Sequence, residues 1–191
     1  MRDRVYLYDL PIRSDSRHKD ANFSFWSGLK FQLAGRSEGR TRKKMSSSEI
    51  LVHREHAEIH QGEAICKKKS KELLEKMSLP KGLLPLEGLV EVGYNDATGF
   101  IWLTKKSKTE HTFRKIGRRV SYDTHVTAFV EERRMRRLTG VKSKELFIWV
   151  SISDIHIGDP ASGKITFATA TGMSRSFPVS AFEDDEEENG K

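Results

Sequence analysis

The chain has 191 residues and a mass of 21.9 kDa, which suits one ordinary domain with tails and is short for two. Its 36% hydrophobic and 32% charged residues indicate that part of the chain lies outside a packed core. No apolar run in the sequence approaches the about 20 residues that a membrane-spanning helix needs. The single cysteine, Cys66, excludes an internal disulfide.

Residues 1–44 keep no helical or strand period, and we interpret them as a disordered extension. Their eleven basic side chains would suit an organelle transit peptide, but their five acidic side chains disfavour it. We favour Met45 as the usual start of the functional protein, followed by a single β-rich domain over residues 45–182. The final stretch, "EDDEEENGK", predicts an acidic disordered tail over residues 183–191.

Between these two ends, residues 45–182 carry a clear excess of basic side chains. Such a domain suits an anionic partner, although a solvated basic surface is equally common. The N-terminus lacks the continuous apolar stretch of a secretory signal. We therefore expect a cytoplasmic protein that meets membranes only at their periphery.

The first predicted element is a helix over residues 59–77, because apolar or small side chains recur there at spacings of three and four. Pro80 and Gly82 end it soon after Ser78. Its basic faces could lie on an anionic membrane, but the apolar stripe is narrow, so packing against the domain is favoured. The stripe consists of Ile59, Gly62, Cys66, Ser70, Leu73, Leu74 and Met77.

Three histidines, His53, His56 and His60, precede or open this helix in "HREHAEIH". Their spacing could place two or three of them on one helical face as metal ligands. A solvated helix start is the favoured interpretation, and no metal site or cofactor is predicted.

After "LPKGLLPLEG" the pattern changes to alternation, which predicts a mainly β domain. Gly99 in "NDATG" can supply the left-handed backbone of a short hairpin, and "EERRMRR" and "DPASGK" are interpreted as hairpin connections. Eight strands are predicted: "LVEVGYN", "GFIWLTKK", "TFRKIG", "RRVSYDTHVTAFVEE", "MRRLTGVK", "KELFIWVSISDIHI", "KITFATA" and "RSFPVSAF".

The strand around Trp149 carries a further signal. Its apolar side chains occupy even positions up to Ile152 and odd positions from Ile155, so the parity switches near Ser153 and Asp154. A one-residue slip turns later side chains to the other face, which predicts a bulge or a bend. Together these signals predict a strongly curved antiparallel sheet or a barrel-like β domain with one N-terminal α-helix. We expect Trp149, within its most apolar strand, to anchor the core.

Ser121, Asp123 and His125 alternate along one strand and contain the residue types of a hydrolase triad. In a triad, the histidine contacts both partners. Along a strand, however, Ser121 and His125 lie about 13 Å apart, with the aspartate between them. No "GxSxG" elbow occurs either. We therefore interpret these three side chains as an outward polar face, and we predict no catalytic residues. The opposite, inward face consists of Val120, Tyr122, Thr124, Val126, Ala128 and Val130.

The chain contains, in this order, "LPKGLLPLEGLVEVGYNDATGFIWL", "FRKIGRRVSYDTHVTAFVE", "LTGVKSKELFIWVSISDI" and "KITFATATGMSRSFPVSAF". These four stretches together resemble a plant family called domain of unknown function 538, over about residues 55–182. The resemblance implies a plant protein with a mainly β fold and one N-terminal helix. It also implies a likeness to tubular lipid-binding proteins and a role in stress or developmental responses. Chlorophyll hydrolysis is an activity suggested for members of the family. The resemblance supplies no catalytic motif.

From the residues and the resemblance together, we expect a non-enzymatic module that binds an amphipathic small molecule, an anionic lipid surface or a protein partner. One alternative is an esterase that uses His125 or His111 with a partner from another strand. The other alternative is binding of nucleic acid, but the aromatic side chains of the protein lie in apolar strands and not on an exposed basic platform. The candidate contacts are the cations Lys67, Lys68, Lys71, Arg114, Lys115, Arg118 and Arg119.

Overall fold

A computed structural model describes residues 48–84 and 86–183. The predictions for residues 1–44, for the start at Met45 and for the tail beyond Glu183 concern residues outside these ranges. Within them, no helix has the length and apolar character needed to cross a bilayer.

The fold is mainly β with one long helix. Residues 48–53 are helical, and short 3-10 turns lie at Lys81–Leu83, Arg114–Ile116, Pro160–Ser162 and Val179–Phe182. The other elements are β1 (Glu58–Gln61), α1 (Glu63–Lys76), β2 (Leu89–Asn95), β3 (Phe100–Lys105), β4 (Thr109–Phe113), β5 (Arg118–Glu131), β6 (Arg134–Glu145), β7 (Ile148–Ser151), β8 (Asp154–His156), β9 (Lys164–Ala168) and β10 (Ser174–Pro178).

All ten described strands pair antiparallel in one sheet, in the order β1-β2-β3-β5-β6-β8-β9-β10. Strand β4 joins the N-terminal half of β5, and β7 joins the C-terminal half of β6. The path ends at β1 and β10, so the sheet is open and is not strongly curled. The predicted barrel-like closure is wrong. Strand β5 pairs along one edge with both β3 and β4, and β6 pairs along one edge with both β7 and β8, but neither long strand bends round to bring the edge strands β1 and β10 together.

Helix α1 packs on β2 and buries Cys66, Ser70 and Leu74 of the predicted stripe, while Leu73 and Met77 are partly buried. Its predicted start at Ile59 is wrong, since residues Glu58–Gln61 pair with β2 as strand β1. Gly62, with φ of 91°, then turns the chain into the helix.

Several predicted strands have different ends in the structure. Strand "TFRKIG" stops at Phe113, because Arg114–Ile116 form a 3-10 turn and Gly117 adopts a left-handed conformation. The predicted strand "KELFIWVSISDIHI" begins too early, because Lys144 and Glu145 end β6 and residues 146–147 form a turn. Its remainder is split into β7 and β8, with the break at the predicted parity switch, where Ser153 N donates to Ala168 O. The bend prediction is confirmed, and so is the "NDATG" hairpin, in which Gly99 has φ of 70°.

Two clusters of buried side chains lie on the sheet. The larger one holds α1 and most of β2 to β9, including the inward residues Tyr122, Val126, Ala128 and Val130 of β5. The smaller one centres on Ile50, Phe100 and Trp102 and is covered by residues 48–59. This second cluster explains why the helical segment at residues 48–53 belongs to the fold.

The structure corrects two predictions about burial. Trp149 is only half-buried, whereas Trp102 is fully buried and anchors the smaller cluster. Ser121, expected on an outward face, is almost completely buried. The strand pattern alone could not show that Trp102 is the more buried of the two tryptophans, because the side chains that bury it come from residues 48–59, which are distant in the sequence.

Candidate functional site

A cleft with a volume of about 670 Å³ lies where α1 approaches β4 and the residues that follow the helix. A volume of this size is typical of small-molecule sites. It is lined by Lys67, Lys71, Lys81, Gly82, Leu84, Leu86, Glu87, Glu110, His111, Thr112, Phe113, Arg114, Lys115, Ala181 and Glu183.

Local sequence explains how these walls are held together. Lys67 and Lys71 stand one helical turn apart on α1, so both side chains reach the same side. Gly82 allows the segment after the helix to pass close to the 3-10 turn Val179–Phe182, since a Cβ on residue 82 would lie 2.7 Å from Phe182 O. Phe182 is buried, and its ring centroid lies 4.9 Å from that of Phe113.

The cleft has an excess of positive charge among its described residues. Its five cations come from α1, the 3-10 turn after it and the turn after β4, and they face three carboxylates. Lys81 Nζ lies 3.1 Å from a Glu75 carboxylate oxygen, and Lys115 Nζ donates to Ser180 O at 3.5 Å. The cations are Lys67, Lys71, Lys81, Arg114 and Lys115, and the acids are Glu87, Glu110 and Glu183.

The structure brings together four of the seven predicted contacts: Lys67, Lys71, Arg114 and Lys115 all line the cleft. Lys68 does not, because its side chain is 77% exposed on another face of α1, with Nζ 3.9 Å from Glu72. Sequence analysis missed Lys81 in this cleft, although the Pro80–Gly82 turn that carries it was recognised.

Arg118 and Arg119 also lie elsewhere, each beside a carboxylate. The Arg118 guanidinium donates to Glu145 at 3.0 Å, and Arg119 lies 3.6 Å from Glu110. They flank β4 on the sheet, where alternation sends neighbouring side chains to opposite faces. The density of cations in "FRKIGRR" did not show that Arg118 and Arg119 lie outside the cleft lined by Arg114. The 3-10 turn Arg114–Ile116, which precedes their strand, was not predicted.

The triad residues do not form a catalytic group. Ser121 Oγ is buried without a hydrogen-bond partner, so it makes no hydrogen bond to His125. His125 Nδ1 instead lies 3.4 Å from Thr104 Oγ1 on the neighbouring strand. His111 lines the cleft, but its ring packs against Phe113 at 4.6 Å, and the lining includes no serine or cysteine among the described residues.

The three N-terminal histidines do not form one cluster. His53 stacks on Phe100 at 4.3 Å, and His60 on β1 lies 2.8 Å from Glu58. His56 and His60 line a smaller cleft of about 360 Å³ beside α1 and β2. Across the described ranges, no three metal-ligating side chains come together.

A network around Glu91 was not anticipated from the sequence. Both carboxylate oxygens accept hydrogen bonds from Arg54, at 2.7 and 2.9 Å, while Trp102 Nε1 donates at 2.9 Å and Gln61 at 3.2 Å. The Arg54 pair, together with these donors, lowers the pKa of Glu91 to about 2. This network joins the segment before β1 to strands β2 and β3.

A second buried ionisable group is Lys105, whose Nζ donates to Thr109 Oγ1 at 2.9 Å and lies 5.8 Å from the Tyr122 ring. Burial lowers the pKa of Lys105 and raises the pKa of Tyr122. Neither side chain lines the cleft.

Comparison with known protein families matches residues 70–183 to a family described as "Protein of unknown function, DUF538". The match covers more than half of the chain and confirms the family resemblance seen in the sequence. Comparisons with curated proteins and with solved structures give no match. Strands β2 to β10, the second half of α1 and most of the cleft lining fall within the matched range, and the chain belongs to this family of proteins of unknown function, DUF538.

Proposed function

We propose that the protein is a binding module for an anionic amphipathic small molecule, held in the cleft between α1 and β4 without chemical conversion. One observation carries the proposal: five cations from three separate segments converge on a cleft of about 670 Å³ that also has apolar walls. A cleft with a few convergent polar groups and an apolar lining is the usual form of a small-molecule site.

The lining favours a ligand with two chemical parts. The ammonium and guanidinium groups suit a carboxylate, phosphate or sulfate head, because opposite charges attract strongly where water is partly excluded. Leu84, Leu86 and Phe113 offer apolar contacts to an attached hydrocarbon part. A protein partner with an acidic and apolar segment would use the same chemistry.

The alternatives receive less support from the same residues. A nucleophilic esterase needs a serine or cysteine beside a base, and the described lining of the cleft has neither beside His111. A nucleic acid would meet Glu87, Glu110 and Glu183 along with the cations, and these acids disfavour a polyanion.

Isothermal titration of the full chain with dodecyl phosphate, kept below its micelle concentration, tests the proposal. The variant Lys67→Glu with Lys71→Glu should bind about tenfold more weakly or worse, because two attractive charges become repulsive. Lys68→Glu is the matched control, since Lys68 lies on the same helix but outside the cleft. Dodecyl maltoside, which has the same tail without charge, should bind weakly to all three proteins.

Equal affinity of the parent and the Lys67, Lys71 variant for dodecyl phosphate would contradict the cleft as the site. Hydrolysis of a p-nitrophenyl ester, lost in a His111→Ala variant, would instead favour the esterase.

A further inference from the structure

The turn between β6 and β7 exposes three consecutive apolar side chains. Leu146, Phe147 and Ile148 are 71%, 92% and 46% exposed, and Leu146 and Phe147 form the whole connection between the paired residues Glu145 and Ile148. Leu146 has φ of 50°, a conformation that tight hairpins normally assign to glycine, asparagine or aspartate. The fold therefore does not account for apolar residues at this tip.

A ring of cations surrounds Trp149, directly behind the tip. The Lys144 ammonium lies 5.1 Å from the centre of the Trp149 ring, and the charged groups of Arg119 and Lys108 lie at 5.8 and 5.9 Å. Lys144 Nζ also donates to the Phe147 carbonyl oxygen at 3.4 Å, so one of the cations around Trp149 is hydrogen-bonded to the turn. Each cation is within the range of a favourable cation–π interaction.

Strand register places the cations on one face of the sheet. Lys144 is opposite Trp149, and Lys142 is opposite Ser151, so Lys142 and Lys144 project to the same side as the tryptophan. Glu110 of this face lies 3.6 Å from Arg119. Glu145 projects to the other face, where Arg118 and Arg175 bind it at 3.0 and 3.4 Å.

We propose that this hairpin tip docks on the surface of an anionic lipid bilayer, with Leu146, Phe147 and Ile148 entering the interface and the cations contacting lipid phosphates. An apolar tip ringed by lysine and arginine matches a membrane surface, whose anionic head groups overlie an apolar interior. Tryptophan at the level of the head groups is a common feature of such contacts. The surface shares no residue with the small-molecule cleft except Glu110 and does not depend on it.

A nucleic acid fits this surface less well. Successive bases stack on several open aromatic faces, whereas this surface offers one exposed ring, Phe147, because Trp149 is half-buried and surrounded by three cations. The aliphatic side chains of the tip have no counterpart on a phosphate backbone. The apolar tip and the charges together therefore favour a lipid surface.

Co-sedimentation of the full chain with vesicles tests the proposal. Vesicles of phosphatidylcholine containing phosphatidylserine should pellet the parent, and vesicles of phosphatidylcholine alone should not. Binding should weaken strongly between about 0.1 M and about 1 M salt, because the screening length falls from about 10 Å to about 3 Å. The variant Leu146→Ser with Phe147→Ser should lose about tenfold or more in partitioning.

Two matched controls separate the tip from general effects. Ile65→Ser removes another exposed apolar side chain, on α1, and should bind like the parent. Lys142→Glu with Lys144→Glu should lose about tenfold or more on anionic vesicles, whereas Lys67→Glu with Lys71→Glu, which alters only the cleft, should not. Circular dichroism of each variant checks that the fold is retained.

Depth of insertion gives a readout independent of charge. A Phe147→Trp variant should be quenched by lipids with brominated chains more than the parent, while Ile65→Trp should match the parent. Parent-like pelleting of the tip variant would overturn the proposal, as would failure of the parent to bind anionic vesicles. Loss of binding only in the Lys67, Lys71 variant would also overturn it and would transfer the contact to the cleft. Competition by duplex DNA that abolishes pelleting equally in the parent and the tip variant would favour a nucleic acid.

Discussion

At the scale of single residues, Glu91 has the strongest electrostatic constraint among the described carboxylates. Its two oxygens accept from Arg54, Trp102 and Gln61, which lie on three different segments of the chain. A bidentate guanidinium pair is stronger than a simple surface ion pair, and the partial burial of Glu91 limits screening by water. The network therefore contributes stability that depends on the charge of one carboxylate.

The pH dependence follows from the lowered pKa. Because the pKa of Glu91 falls from an ordinary 4.5 to about 2 in the folded protein, the unfolded chain takes up the proton first as pH decreases. The stabilisation is complete above about pH 4.5 and is lost as pH falls towards about 2. We expect Glu91→Gln to lower the free energy of unfolding at neutral pH by on the order of 1 to 2 kcal/mol, with exposure of Arg54 limiting the effect.

Urea unfolding at a series of pH values measures this contribution. The difference between parent and Glu91→Gln should shrink steadily below about pH 4.5, while Glu132→Gln, at an exposed site of the β5–β6 turn, should differ little from the parent throughout. A difference that stayed constant down to about pH 3 would show that Glu91 is not held as a carboxylate by Arg54.

Sequence reasoning could not find this network, because its members are far apart in the chain. Arg54 and Glu91 are each ordinary charged residues in alternating or helical surroundings, and only the pairing of β1 with β2 and the return of residues 48–57 bring them together. The cations of the cleft were easier to predict, since Lys67 and Lys71 have helical spacing. Density of charge alone still included Lys68, which lies on another face.

At the scale of elements, strands β2 and β3 are fitted to each other by one glycine. Gly93 is directly opposite Trp102, and the indole occupies the space where a Cβ of residue 93 would lie. Period two predicted both strands correctly, including the bounds of β2 at Leu89–Asn95. The alternation did not indicate that Gly93 makes room for a buried ring. It predicts which face of the sheet a residue lies on, but not which residue of the neighbouring strand lies opposite.

Replacement of Gly93 by alanine should therefore displace Trp102 and strain the Glu91 hydrogen bond. We expect a loss of on the order of 3 kcal/mol in the free energy of unfolding, in the range of overpacked cores. Gly158→Ala is the matched control, since a Cβ there meets nothing within 4 Å and its φ is not positive. Thermal unfolding with tryptophan fluorescence measures both variants, and a Gly93→Ala protein as stable as its Gly158→Ala control would contradict the tight fit.

Element-scale patterns also explain which predictions failed. "EIHQ" continues the helical spacing of the residues after it, so its pairing with β2 was invisible without the tertiary partner. Trp149 and Trp102 both lie in apolar strands, but Trp102 alone is covered by a second segment of chain. Local periodicity thus predicted element type and inward face, whereas the cover on the outer face of the sheet required contacts distant in sequence.

At the scale of the whole molecule, the segment before β1 closes the smaller core. Ile50 is buried against Phe100 and Trp102, and His53 stacks on Phe100. The buried amide of Asn95 donates to the carbonyl oxygens of residues 53 and 55, both at 3.0 Å. The family match begins only at residue 70, so the packing of this segment identifies structure outside the matched range.

Two truncations distinguish the roles of the N-terminal residues. A chain that begins at Met45 should unfold cooperatively with the stability of the full chain, because every contact just described is retained. A chain that begins at Glu58 should lose on the order of 3 kcal/mol or more, because it uncovers Phe100 and Trp102, leaves the buried Asn95 amide nitrogen without acceptors and removes Arg54 from the Glu91 carboxylate. Urea unfolding followed by circular dichroism measures both. Equal stability of the two truncated chains would show that residues 48–57 do not close the core, while a large loss already at Met45 would assign residues 1–44 to the folded domain.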